Sequence, residues 1–309
     1  MKTKFIINSL KHKETNKIIS KISNLKDQNI SSSYTKQAGD AIKLTQEAIE
    51  DGFKKIISFG GDGTHSEVVN GFFKNEKLIG KDVCFGFVSL GSGNDFQKNF
   101  KPKSLKELLE EKNYQNIDLG KITFRQQRKT DLTNFKTEVR YFLNIAEFGF
   151  IPRIVKEFNE TSQKKSIIKG KARYISCFLK KMKEFEEFDL EITREDSKKL
   201  NNTVTNVNIA NGSFYGGGYK IAPSAKINDG FFDIVVFGKM GRTKFSSLML
   251  ASLKGLHKFN KAVAIFQTKY IEFKPLSESS KVFIEADGDF IGYLPATFEV
   301  LPKALKIIN

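Results

Sequence analysis

The sequence predicts an α/β plus β chain, in which a Rossmann-like parallel α/β domain precedes an antiparallel β-sandwich. Three observations carry that expectation. At roughly 150 residues per domain, 309 residues suffice for two domains. The first third alternates short apolar runs with helical periodicity, and after about residue 123 the pattern turns into closely spaced β-rich runs. The first domain is therefore expected over residues 1–123 and the second over 124–291.

In order along the chain, apolar runs at 4–8, 32–34 and 55–59 alternate with helical periodicity near 12–25 and 39–51, a βαβαβ rhythm. A helix over 64–75, a strand over 83–88, a helix near 104–112 and a strand opening at Asp118-Leu119 continue it. Helical crossovers between strands make a parallel sheet the natural outcome. The charged stretch 125–131 reads as a turn between two β-like segments. Beyond it, β-rich runs at 137–145, 188–193, 203–210, 231–237, 261–274 and 279–286 are interrupted by basic helical stretches at 152–184 and 241–258. Short strands at this spacing suit a sandwich.

Composition narrows the class. Hydrophobic residues make up 39% and charged residues 28%, so the chain can bury a core and is not disordered as a whole. Fifty-one basic against 35 acidic residues give a net charge of +16, which attracts phosphates, anionic lipid or nucleic acid without choosing among them. Cys84 and Cys177 lie far apart within apolar runs, which excludes a disulfide scaffold or a cysteine-rich zinc site and suits a reducing cytoplasm. The start, with Phe5-Ile6-Ile7 after Met1-Lys2-Thr3-Lys4, is too short for a secretory apolar region and reads as a strand. With no run of roughly 18 apolar residues, any membrane role is expected at the surface.

The most informative segment joins the apolar strand 56–59 to Gly60-Gly61-Asp62-Gly63-Thr64 and then to a helical pattern. Glycines let the backbone approach an anion closely, and a helix start offers unpaired N–H groups and a positive dipole end, so a phosphate would fit there. Thr64 and Glu67 have the spacing of a capping box. Asp62 would repel a phosphate unless a metal ion or a transferred proton uses it, which suggests a Mg²⁺-nucleotide site. The bland alternative is a tight turn.

A second loop, Leu90-Gly91-Ser92-Gly93-Asn94-Asp95-Phe96, follows the next strand, and in an open parallel sheet two such loops face one crevice. Alone it is a turn whose Asn and Asp bond their own backbone. Later, Glu285, Asp287 and Asp289 alternate along a β-like run and are expected on one strand face, either solvated or catalytic. Asn228-Asp229-Gly230 reads as a hairpin turn. Asn211-Gly212, Tyr215 and Gly216-Gly217-Gly218 read as sheet bends rather than ligands. The three histidines, His12, His65 and His257, show no metal-ligand spacing.

These residues carry a resemblance. The two glycine loops resemble the diacylglycerol kinase and sphingosine kinase catalytic domain, specifically the soluble bacterial lipid kinases of that group. Tyr141-Phe142-Leu143-Asn144-Ile145, Gly149-Phe150, the run Ala222-Pro223-Ser224 through Asn228-Asp229-Gly230 to Asp233, and Asp287-Gly288-Asp289 follow in the family's order, over essentially the whole chain. The resemblance implies ATP and Mg²⁺ as cofactors and a lipid with a free hydroxyl, such as diacylglycerol, as acceptor. It implies a nucleotide set of Asn8, Thr35, Gly60, Gly61, Asp62, Gly63, Thr64, Glu67, Ser92, Asn94 and Asp95. Asp289 would take the proton of the lipid hydroxyl, with Asp287 tied to the magnesium network, and a structural Mg²⁺ would sit on Asp229 with the backbones of Lys226 and Phe231. Residues from about 292 to 309 would return to the first domain.

Two departures stand out. Asp289 replaces the family's usual glutamate and reaches roughly 1.5 Å less far, and Asn8-Ser9-Leu10-Lys11-His12 replaces an Asn-Pro-x-x-Gly loop, of which Asn8 alone carries over. An NAD kinase-like enzyme shares the Gly-Gly-Asp-Gly motif, but Asn94-Asp95-Phe96 and Asp287-Gly288-Asp289 speak against it. A catalytically impaired nucleotide or anionic-lipid binder is the alternative of another class. Basic residues such as Arg153, Lys156, Lys164, Lys180 and Lys181 among Ile167, Ile175 and Leu179 suit peripheral contact with an anionic membrane, or else a solvated helix face. Nucleic acid is not expected as a partner, and a homodimer is left open.

Overall fold

The computed structural model describes residues 1–20, 29–91, 93–127, 135–162, 170–277 and 279–308. Four parallel strands come first: β1 (Thr3–Asn8), β2 (Ile30–Thr35), β3 (Lys55–Gly60) and β6 (Cys84–Ser89), in the order β2-β1-β3-β6. Every residue of β3 is buried, as a central parallel strand covered on both faces requires. The period of two sorts the side chains. Ile6, Ile56 and Phe85 pack under α2 (Asp40–Glu50) and α3 (Asp62–Asn70), whereas Phe5, Ile7, Ile57 and Phe59 pack with Leu105 and Leu108 of α4 (Leu105–Glu110). Lys55 is buried in the same layer, and its Nζ donates to the carbonyls of Leu108, Leu109 and Glu111 at the end of α4. A cation there completes the carbonyls that a helix leaves unpaired.

The helix expected over 64–75 instead starts at Asp62 and stops at Asn70, before a short hairpin of β4 (Phe73–Lys74) and β5 (Lys77–Leu78). Gly71 follows the helix where a Cβ would lie 2.4 Å from Thr45, so α2 and α3 approach closely there. The polar helix expected near 12–25 is α1 (His12–Ile19), and residues 21–28 lie outside the described residues.

The antiparallel part comprises β7 (Gln115–Gln127), β8 (Phe135–Phe142), β9 (Ile145–Gly149), β10 (Phe188–Arg194), β11 (Lys199–Ala210), β12 (Phe232–Gly238), β13 (Val263–Thr268), β14 (Tyr270–Pro275), β15 (Phe283–Ala286) and β16 (Asp289–Ile307). Instead of two separate sheets, its layers are joined at their edges. The pairings β10-β11-β9-β15-β16-β14 return to β10, enclosing a core of Phe142, Phe148, Phe232, Phe273 and Phe298. Long strands make this closure: β11 shifts register between Val204 and Asn206, β16 between Tyr293 and Ala296, and such irregularities let one strand serve two layers. The far end of β16 pairs in parallel with β6, Lys306 opposite Cys84, so all these strands form one hydrogen-bonded network. The run 261–274, read as one segment, breaks at Lys269, whose N–H goes to the Glu195 carboxylate.

Helices α5 (Ile151–Ser162), α6 (Gly170–Lys181) and α7 (Arg242–Ser252) cover one side of this part, over Ile145, Phe150, Phe237 and Phe245. Lys164, Lys165, Ile167, Ile168 and Lys169 lie outside the described residues.

Candidate active site

The two glycine loops meet at the carboxyl ends of β3 and β6. Leu90 N–H donates to the Gly60 carbonyl at 2.6 Å, and a Cβ on Gly91 would stand 2.9 Å from the Gly61 Cα. Contact this close admits no side chain at Gly91. The first turn of α3 has Gly61 as its cap residue and no side-chain cap, leaving its leading N–H groups open to an anion.

The capping box expected of Thr64 and Glu67 does not form. The helix begins two residues before Thr64, whose Oγ1 instead accepts from Asn8 Nδ2 at 3.1 Å. Glu67 reaches across to α2 and accepts from the N–H groups of Gly39 and Ala41, at 2.9 and 3.3 Å. Asp62 spans the two loops. Its carboxylate accepts from the N–H groups of Asp95 and Phe96, at 3.2 and 3.3 Å, and so braces the first loop against the second. Asp95 extends the brace, accepting from Lys98 Nζ and, at 2.6 Å, from Gly217 N–H on the opposite wall. Asn94 takes a positive φ of 51°, and its Oδ1 is buried without a partner. Ser92 lies outside the described residues.

Behind the loops, His65 is buried with Nδ1 2.6 Å from Ser58 Oγ and Nε2 3.3 Å from Ser89 Oγ. Burial takes its pKa down to about 3, so the ring is neutral and structural.

The carboxylates at 285, 287 and 289 do not share a strand. β15 ends at Ala286, Asp287 and Gly288 turn the chain with φ of 50° and 94°, and β16 opens at Asp289. Each acid thereby has its own environment. Asp287 accepts from the N–H groups of Leu143, Asn144 and Ile145 at 2.8, 2.9 and 3.3 Å. Burial pushes its carboxyl up to about 6, against those donors. Glu285 is buried beside Glu147. Asp289 alone is half exposed, with the Arg140 guanidinium 3.8 Å away, and burial raises its pKa while Arg140 lowers it. Its Oδ2 lies 3.8 Å from where a Gly63 side chain would begin, so it faces the first loop across an open gap.

Asp289 stands between two cavities. One, of about 380 Å³, runs from Gly61, Gly63 and Gly93 to Phe158, Tyr174 and Tyr215 beneath α5 and α6. The other, of about 470 Å³, is lined by Gly39, Glu67, Arg140 and Lys156 among others. Of the expected nucleotide set, Gly61, Asp62, Gly63, Glu67 and Asp95 line one or the other, whereas Asn8, Thr35, Gly60, Thr64 and Asn94 lie outside both linings. Lys226, Asp229 and Phe231 are also outside them. Asp229 accepts from Phe231 N–H in a local turn, and Gly230 N–H goes to Asp118. Among the described residues no group of three or more His, Cys, Asp or Glu side chains converges as for a metal.

Sequence reasoning missed Arg140, Glu147, Tyr174 and the cleft role of Tyr215. Arg140 is one of two cations on β8, yet its Nε is buried without a partner beside Asp289. Gly216, Gly217 and Gly218, all at positive φ, are the bends expected, and two of them also line the cleft.

Comparison with known proteins agrees with this geometry. Residues 2–122 match the diacylglycerol kinase catalytic domain, and residues 155–309 match the YegS C-terminal NAD kinase beta sandwich-like domain. A Bacillus subtilis protein named "Putative lipid kinase YtlR" is 29% identical over 262 residues, covering 82% of this chain and 80% of that protein. A diacylglycerol kinase of Mycobacterium tuberculosis is 26% identical over 277 residues, 88% of this chain and 82% of its own. In fold, a crystal structure described as "a putative diacylglycerol kinase from Bacillus anthracis" superposes with a TM-score of 0.73 at 21% identity, covering 99% of this chain and 95% of that one. With one model spanning half of the chain and the other most of the rest, the chain belongs to the diacylglycerol kinase catalytic-domain family of lipid kinases.

Proposed function

We propose that the chain transfers the γ-phosphate of ATP to the free hydroxyl of a lipid such as diacylglycerol. The observation that carries this reading is the placement of Asp289, an accessible carboxylate facing Gly63 of the phosphate loop at the mouth of an apolar cavity. In this reading residues 1–123 with 292–309 form a Rossmann-like nucleotide domain, and 124–291 hold the lipid.

Phosphoryl transfer needs positioning and charge stabilisation more than covalent chemistry. The open N–H groups of α3 receive phosphate oxygens, and the Asp62 and Asp95 braces fix the width between the loops. Arg140 faces the developing charge from the side of Asp289. Asp289 accepts the proton of the lipid hydroxyl as its oxygen attacks phosphorus. Asp287 does not compete for that role, because three backbone N–H groups hold its carboxylate in place.

The turn at 226–231 fits a magnesium ion in its chemistry: burial pushes Asp233 up and the charge of neighbouring Asp229 adds to it, a repulsion that a divalent cation relieves. Asp229 with the carbonyls of Lys226 and Phe231 would hold the ion, and Mg²⁺ would supply neutralisation of negative charge. Exposed Ile175 and Leu179 share α6 with Lys180 and Lys181 at its end, a surface suited to peripheral contact with an anionic membrane.

The test is transfer of label from γ-labelled ATP with Mg²⁺ to a panel of lipids in mixed micelles, with NAD in a parallel tube. A labelled lipid is expected. Labelled NADP, or ATP binding without any labelled product, would overturn the reading.

A further inference from the structure

Two acids meet at the wall of the apolar half of the cleft, Glu285 lining it and Glu147 buried behind, and the transfer described above makes no use of them. Glu285 on β15, Glu147 on β9 and Asn208 on β11 stand opposite one another in register, so their side chains share one sheet face, under α5 and α6. Their neighbours Ile284, Ala146, Phe148 and Val207 point the other way, into the aromatic core. A purely structural layer would be apolar on the helix side too. Here the row is polar and dry, at 5%, 0% and 0% exposure.

The two carboxyls face each other across the β9–β15 pair, Asn206 Nδ2 donates to Glu147 at 3.0 Å, and Gly288 N–H donates to Glu285. Two ionised carboxylates cannot stay in contact in a dry interior, so the pair keeps a proton. Burial pushes Glu147 up to about 7 and Glu285 well above the carboxylate range, the latter helped by the charge of Glu147. A separate observation points to a ligand. Tyr215 is 9% exposed and lines the cavity together with Glu285, yet its hydroxyl has no partner. An orphaned buried polar group costs about 1–3 kcal/mol, which a bound molecule carrying matching oxygens would relieve.

We propose that Glu285, backed by Glu147, and Tyr215 form the headgroup-reading floor of the acceptor site, with the proton of the acid pair donated through Glu285 to an ester carbonyl of an uncharged glycerolipid and Tyr215 bonded to a second oxygen. The inference rests on the lipid kinase reading above and deepens it by naming the acceptor class. A neutral headgroup fits beside the pair, whereas an anionic one would set its charge against buried acids.

Calorimetry with the full chain tests it, using short-chain dioctanoylglycerol against dioctanoylphosphatidylglycerol as its anionic counterpart. The wild type is expected to favour the neutral lipid by about tenfold or more, the worth of one well-placed hydrogen bond to a buried group. Tyr215→Phe, which keeps the ring volume, should weaken dioctanoylglycerol binding by about tenfold, and Glu285→Gln should reduce the discrimination, both with ATP affinity unchanged. Wild-type selectivity retained in both folded variants, or preference for the anionic lipid, would overturn the subsite. If label from ATP reaches a lipid while the variants select like wild type, the subsite falls and the kinase reading stands. If the neutral lipid binds with the expected selectivity but receives no phosphate, the kinase reading falls and the subsite stands.

Discussion

The phosphate end of the parallel sheet and the polar floor of the antiparallel part sit in one cleft but are built on opposite plans. At the phosphate end the side chains are occupied: Asp62, Asp95, Glu67 and Asn8 all bond neighbouring groups, and what is left open is backbone. On the floor the backbone is consumed by sheet pairing, and what is left open is side chain, the Tyr215 hydroxyl at the cavity wall. An anion site made of N–H groups tolerates little variation in loop shape. A side-chain floor can be retuned by single substitutions without moving a strand, which is where acceptor choice would be expected to reside.

The largest effect that tests this division is expected at the residue between the two. Asp289→Asn should lower transfer by about a thousandfold while ATP affinity stays within about twofold, because a general base contributes roughly 10²–10⁴. Near-normal turnover in a steady-state assay would remove Asp289 from that role. Next, Gly91→Ala places a Cβ 2.9 Å from the Gly61 backbone and must spread the loops. A displacement of about 1 Å should cut turnover roughly a hundredfold, and a crystal structure of the variant with unmoved loops would contradict the account. Smaller again, Asp62→Ala strands the N–H groups of Asp95 and Phe96, and ATP affinity measured by calorimetry should fall about tenfold.

The smallest and most specific effect concerns the floor alone. Because burial raises Glu147 to about 7 from an unfolded value near 4.5, its neutral form is favoured in the folded protein. That contribution is fully present below the unfolded pKa and is lost as pH rises through about 7, amounting to on the order of 3 kcal/mol. The urea midpoint of the wild type relative to Glu147→Gln should therefore decline from pH 5 to pH 8. His65 is neutral in the folded protein but protonated in the unfolded chain below about 6.5, so it adds stability as pH rises over the same range, and the comparison with Glu147→Gln isolates the floor; a difference between the two proteins that does not change with pH would place the error there.

What could be read in the sequence follows the same division. The glycine loops are contiguous, and their strand, turn and helix order is local, so Gly60 to Thr64 and the parallel sheet are legible from spacing alone. The capping box was misread because the same spacing serves a helix that starts two residues earlier, with Glu67 turned to a neighbouring helix. The three late acids were misread as one face because a positive φ at Asp287 reverses the chain between them. The floor was invisible: Glu147, Asn208 and Glu285 are far apart in sequence, and register on three strands brings them together.

The bond from Asp95 to Gly217 N–H has a consequence for the order and strength of substrate binding. It ties a phosphate loop to the rim of the acceptor cavity, so a nucleotide that settles the loop also sets the rim. Linkage then makes the effect mutual: whatever factor ATP applies to acceptor affinity, the acceptor returns to ATP. In a kinase built this way the two substrates would bind as a coupled pair, and cutting the tether would make the two bindings independent.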